Sequence, residues 1–200
     1  MTDQIYREEL GSEITLGPFD KDYYYDIEQL KDQALKSVEC VVVRKDKLLF
    51  IEAKRTAPKD ISGKTAIEQL SGMIKARDQD AYEQIMRTLS VRPAYVVDVC
   101  EKFLMSLCLT MSMAEGRIPS NNMSPTMIEA IRDPSIIPVF VLVITWSKED
   151  WARNVQEAFT MALQKFEKTN RAKILVLTAE RAKEKGLVSR YTPMPAQENT

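Results

Sequence analysis

The sequence predicts a mixed α/β fold: a central sheet of parallel and antiparallel strands flanked by helices. Three observations lead there. Val38-Glu39-Cys40-Val41-Val42-Val43 and Leu48–Lys54 are apolar runs joined by the polar turn Arg44-Lys45-Asp46-Lys47, the pattern of a β-hairpin. Ile136–Thr145 and Lys173–Thr178 are two further apolar strands, and the segment between them carries Trp151, Val155, Phe159, Ala162 and Phe166 at helical spacing. Strand, helix, strand of that length is a βαβ unit, so these two strands are expected to be parallel.

The remaining elements follow in order. Ile14-Thr15-Leu16 suits a short strand. Lys21–Lys36 reads as a helix, with Tyr23, Ile27, Leu30 and Ala34 on one face. Pro58 and Gly63 mark a loop after the hairpin, and Thr65–Leu89 reads as a long helix through Ile67, Leu70, Ile74, Ala81, Ile85 and Leu89. From Pro93 to Gly116 the chain is apolar enough for a strand at Tyr95–Val99. Its polar residues, however, fall four apart at Asp98, Lys102, Ser106 and Thr110, so a helix is predicted, opened by a first-turn proline and stopped at the glycine. Residues 117–135 read as a loop with one helical turn at Met127–Ile131. Ser147 is placed to cap the next helix, with Asp150 in its first turn. Residues 1–188 are expected to form a single domain, and 189–200, with Pro193 and Pro195, a loose tail.

Composition narrows the chemistry. Two hundred residues, 44% hydrophobic and 28% charged, suit a soluble domain with a sizeable core. No apolar run is long enough to span a membrane, and the mixed, acidic start does not read as a signal peptide. Cys40, Cys100 and Cys108 are scattered, with no CxxC pair, which suits a reducing cytoplasm and small apolar packing roles. Histidine is absent, which excludes Ser-His-Asp and Cys-His catalysis and histidine-ligated zinc. There is no GxGxxG and no GxxxxGK[ST], hence no glycine-rich phosphate cradle of those kinds. Carboxylates, lysines, hydroxyls and a hard metal ion remain. The net charge is -1, yet residues 44–64 hold seven bases against Asp46, Glu52 and Asp60.

The hairpin carries the informative constellation. A turn at Lys45-Asp46 sets Val43 opposite Leu48, Val41 opposite Phe50 and Glu39 opposite Glu52. Two carboxylates then face each other within apolar strands, where opposed like charges are destabilising and ionised groups costly. A raised pKa, a basic partner or a bound cation would relieve the conflict. Lys54, two residues past Glu52, shares its face. Two converging carboxylates are a natural seat for Mg²⁺, and a nearby lysine can serve an attacking water.

A carboxylate on one hairpin strand followed by Glu-x-Lys on the next resembles the PD-(D/E)xK, restriction-endonuclease-like nuclease superfamily. Phe50-Ile51-Glu52-Ala53-Lys54 carries the Glu-x-Lys, and Glu39 stands where the family has its first acid. The resemblance covers about residues 21–90. It implies a helix, hairpin, helix core and a site in which Glu39, Glu52 and the Ala53 carbonyl hold Mg²⁺ or Mn²⁺ while Lys54 assists the water. It further nominates Gln69, within Ala66-Ile67-Glu68-Gln69-Leu70, and Glu28 on the preceding helix as supporting site residues. The chain departs from the pattern in having Glu39 rather than aspartate, Val38 where a proline is frequent, and two predicted helices before the next strand.

The expected function is metal-dependent phosphodiester hydrolysis of nucleic acid, with DNA as the favoured substrate and the basic 44–64 run facing phosphates. One alternative is a non-catalytic module of the same fold that binds nucleic acid or protein. A second is an unrelated α/β interaction protein forming a homodimer through the Met-rich 93–115 helix. A purely structural role would make Glu39, Glu52 and Lys54 a salt-bridge cluster; it would carry one excess negative charge and need a further base such as Arg55 or Lys64.

Overall fold

The computed structural model describes residues 5–10, 14–28, 36–56, 93–120 and 122–193. The strands are β1 (Ile5–Leu10), β2 (Ile14–Asp20), β3 (Tyr24–Asp26), β4 (Cys40–Arg44), β5 (Lys47–Lys54), β6 (Ile137–Ile144), β7 (Lys173–Thr178) and β8 (Val188–Tyr191). The helices are α1 (Pro93–Ala114), α2 (Pro125–Arg132), α3 (Glu149–Asn170) and α4 (Ala179–Glu184). The predicted Thr65–Leu89 helix and Gln69 lie outside the described residues.

A five-stranded mixed sheet, ordered β3-β4-β5-β6-β7, forms the centre. β3, β4 and β5 run antiparallel to their neighbours, and β5, β6 and β7 are mutually parallel. The βαβ unit β6-α3-β7 therefore forms as expected. β5 is the middle strand and is buried on both faces, which explains its unbroken Leu-Leu-Phe-Ile run. Leu48 and Phe50 enter a core with Phe103, Met127 and Phe159 from the helices; Leu49 and Ile51 enter a second core with Leu16, Phe19 and Val188. One face of the sheet thus packs on α1, α2 and α3. The other is covered by a smaller sheet, ordered β1-β2-β8, together with α4. The sequence pattern suggested helices on both faces; a second sheet occupies one of them.

The hairpin has the predicted register, with Val43 opposite Leu48 and Val41 opposite Phe50. Its two-residue turn places Lys45 at φ 56°. The Pro93–Gly116 helix is present as α1. Its polar stripe does not face solvent, for Ser106 and Thr110 are fully buried against the sheet. Val97, Met105 and Met111 lie exposed, and so does Cys108, while Met113, Met123 and Met127 are core residues.

Four local predictions are corrected. Lys21–Lys36 does not begin as a helix: residues 21–23 make a 3-10 turn, started by Asp20 Oδ1 accepting from the Asp22 N–H, and Tyr24–Asp26 is edge strand β3. Tyr24 and Tyr25 are buried in the two different cores, and two aromatics on opposite faces are better served by a strand's period of two. Ser147 does not cap α3; Lys148 holds the cap position without a side-chain bond, and Ser147 Oγ donates to the Lys148 carbonyl. Within α3, Ala162 is exposed and Leu163 takes the buried position. The tail starts later than expected, because Val188–Tyr191 pairs with β2. No helix among the described residues is long and apolar enough to cross a membrane.

Candidate functional site

The site is assembled from the end of the hairpin and the first turns of α1. The register that pairs Cys40 with Ile51 leaves Glu39 as the next position opposite Glu52, and the Glu39 N–H donates to the Ile51 carbonyl at 3.0 Å. Alternation along the strands turns Glu39, Glu52 and Lys54 toward the helix-covered face, the side of Val41 and Phe50. Glu52 is fully buried and Glu39 is 8% exposed. The structure thus brings together Glu39, Glu52 and Lys54.

Lys54 Nζ lies 2.8 Å from Glu52 Oε1. A residue that sequence reasoning did not assign to the site completes it. Lys102, from α1, donates to the same Glu52 Oε1 at 2.6 Å and has a side chain only 15% exposed. The extra base expected at Arg55 or Lys64 is supplied instead by a helix remote in sequence; Lys64 lies outside the described residues. The Arg55 guanidinium stacks over the Trp146 ring, 3.7 Å from its centroid. Two carboxylates and two ammonium groups make the cluster formally neutral. Glu52 Oε2, by contrast, is buried and has no hydrogen-bond partner among the described residues.

The electrostatics follow from this layout. Burial pushes the Glu52 carboxyl above its usual range, and the Glu39 charge adds to that, while Lys102 and Lys54 pull it back. For Lys54, burial acts to lower the ammonium, but the hydrogen bond and charge of Glu52 outweigh it and the net shift is upward. Lys54 is therefore held as a cation. Tyr95, two turns before Lys102 on α1, feels burial first and then the Glu52 charge, and both raise its phenol. Its hydroxyl is buried and has no hydrogen-bond partner among the described residues. Ser106 Oγ, one turn beyond Lys102, accepts from the Val38 N–H at 2.9 Å and ties α1 to the strand entering the site.

The four-residue spacing that marked α1 as a helix is the signal that could have nominated Lys102. A polar stripe on an otherwise apolar helix faces either solvent or a buried polar partner, and the opposed carboxylates on the hairpin were such a partner. Glu28 lies in a 3-10 segment at residues 27–28, and residues 29–35 of the predicted helix lie outside the described residues. It follows β3, and its N–H donates to Asp26 Oδ1 at 3.0 Å.

The donor set suits a hard cation in kind: two carboxylates, one with an unpartnered buried oxygen. The Ile51 carbonyl faces Glu39 and the Lys54 carbonyl accepts from Thr145 on β6, so alternation turns the Ala53 carbonyl to the Glu39 side of β5. Among the described residues no group of three or more Asp, Glu, Cys or His side chains could hold a metal ion. Mg²⁺ commonly takes one or two carboxylates and completes its shell with water and substrate oxygens. Comparison with protein-family models, curated proteins and solved structures finds no match for this chain.

Proposed function

We propose that the chain is a metal-dependent phosphodiester hydrolase acting on nucleic acid, with DNA the favoured substrate. The observation that carries this reading is Glu52 Oε2, a buried carboxylate oxygen without a hydrogen-bond partner among the described residues, on a residue opposite a second acid. Glu39, Glu52 and the Ala53 carbonyl would hold Mg²⁺ or Mn²⁺. When bound, the ion would polarise the phosphate and lower the pKa of a coordinated water. Lys54, a cation 30% exposed, would orient water and phosphate as a hydrogen-bond donor rather than take a proton. Lys102 would keep Glu52 ionised and fixed in rotamer.

A specific observation favours a second reading, a non-catalytic member of the same architecture. With Lys102 bonded to a wholly buried Glu52, the cluster already has a balancing charge without any metal. The test is cleavage of labelled single- and double-stranded DNA and RNA with Mg²⁺, Mn²⁺ or EDTA, beside Lys54→Ala, with calorimetric Mg²⁺ titration of the same samples. Metal-dependent cleavage lost in Lys54→Ala is expected. Absence of both cleavage and Mg²⁺ binding would overturn the hydrolase reading in favour of the binding module.

A further inference from the structure

A cavity of about 540 Å³ lies on the other face of the central sheet, far from the carboxylates. It opens where β5, β6 and β7 begin, and the α4–β8 connection forms its outer wall. The eight-residue β5 separates it from the carboxylate site: Lys47 is at its mouth, and Lys54 is roughly 23 Å away at ~3.3 Å per residue. Arg44, Lys45 and Lys47 therefore lie at the opposite end of β5 from Lys54.

Two features define what the cavity would accept. Its rim is cationic: Arg44, Lys45, Lys47, Lys173 and Lys185 line it against the single acid Glu184. Asp46 pairs with Lys47 at 3.2 Å, but the ammonium groups of Lys45, Lys173 and Lys185 are in no ion pair among the described residues. Arg44 is fixed across the mouth, donating to the Lys185 carbonyl at 2.6 Å beside Gly186. The floor is aliphatic, formed by residues such as Leu49, Val139 and Leu175. Among the described residues it has no aromatic ring to stack a base and no amide or hydroxyl side chain to read one. The size lies within the range of small-molecule sites.

We propose that this cavity binds a single-chain anionic amphiphile, its carboxylate held by the Lys45, Lys173 and Lys185 rim and its alkyl chain laid on the Leu49, Val139 and Leu175 floor. Charge complementarity selects an anion, and the aliphatic floor selects a chain over a free ion or a nucleotide.

The test is calorimetric titration of the full chain with dodecanoate below its micellar concentration. Inorganic phosphate serves as a head group without a chain, and dodecyltrimethylammonium as the same chain with opposite charge. The exposed double variant Lys173→Glu/Lys185→Glu is titrated beside it, and methyl NMR follows Leu49, Val139 and Leu175. Dodecanoate should bind one to one, shift those methyls and weaken at least about tenfold in the variant, while dodecyltrimethylammonium should not bind the parent protein. No dodecanoate binding, equal affinity in both proteins, phosphate binding as tightly as dodecanoate, or methyl shifts confined to other residues would overturn the proposal. The methyl spectrum of the free variant shows whether it is folded, and the parent titrations stand without it.

Discussion

Glu52 is fully buried and opposite a second acid, and burial followed by the Glu39 charge raises its carboxyl. Its two hydrogen-bonded lysines differ in exposure, 15% for Lys102 and 30% for Lys54. Removing one partner of a buried pair leaves its charge uncompensated. Lys102→Ala is therefore expected to destabilise the fold by about 3 kcal/mol in urea titration, with Lys54 retaining part of the pairing. Lys36→Ala, which removes the solvent-exposed bridges to Asp98 and Glu101, should leave the urea midpoint unchanged within error. The cysteines give a pH prediction. Burial pushes the Cys100 thiol up to about 11, so the folded state keeps its proton after the unfolded chain has begun to lose it. An acid whose folded pKa is raised contributes stability below its unfolded value and loses it above. Unfolding free energy should thus fall between about pH 9 and 11, and the slope should flatten in Cys100→Ala when the two proteins are unfolded in urea across that window. In the native protein at pH 8, a thiol reagent should modify the exposed Cys108 and spare the buried Cys40 and Cys100.

The elements show how one strand edge is protected and which readings a sequence supports. β7 is an edge strand of the central sheet, and α3 covers part of its open side with one side chain. Gln156 Nε2 donates to the Ile174 carbonyl at 3.0 Å, and Gln156 Oε1 accepts from the Val176 N–H at 2.6 Å. An amide matches both polarities of a strand edge, so the side chain acts as a short substitute strand. Gln156→Ala should cost about 1–3 kcal/mol and should raise light scattering with protein concentration, because the edge becomes available to another chain. The hairpin register was legible because its acids, apolar residues and turn permit one pairing that satisfies the period of two; a slip by one would exchange the residues of the two cores and part Glu39 from Glu52. The α1 helix was legible from four polar residues at helical spacing. The β3 strand was not, because Tyr23, Ile27 and Leu30 also fit a helical face, and the burial of Tyr24 and Tyr25 in opposite cores is a tertiary fact. β8 was missed for the same reason: Val-Ser-Arg-Tyr carries little strand signal until β2 is beside it.

At the scale of the molecule, the central sheet separates two apolar cores, and Phe140 stands in the middle of the larger. It is fully buried, with ring centroids 4.9 Å from Phe103, 5.6 Å from Phe50 and 5.7 Å from Phe166, and so joins α1, the hairpin and α3. Phe140→Ala is expected to cost about 4 kcal/mol in chemical denaturation, with amides of β5 and β6 losing hydrogen-exchange protection together. A loss confined to α3 would instead mean that this helix detaches without opening the sheet. By itself the sequence determined the α/β class, the hairpin and its register, the βαβ unit, and the opposition of Glu39 to Glu52 with Lys54 on their face. Those are matters of period and short spacing, which a linear pattern records. The tertiary structure alone decided that a second sheet covers one face of the first, that the end of the chain returns to pair with β2, and that Lys102 supplies the second cation on Glu52. These depend on contacts between segments up to 174 residues apart, as between Ser189 and Thr15. Which distant side chain meets a buried carboxylate is set by how helix and sheet pack, and local periodicity places a residue on a face without saying what that face will touch.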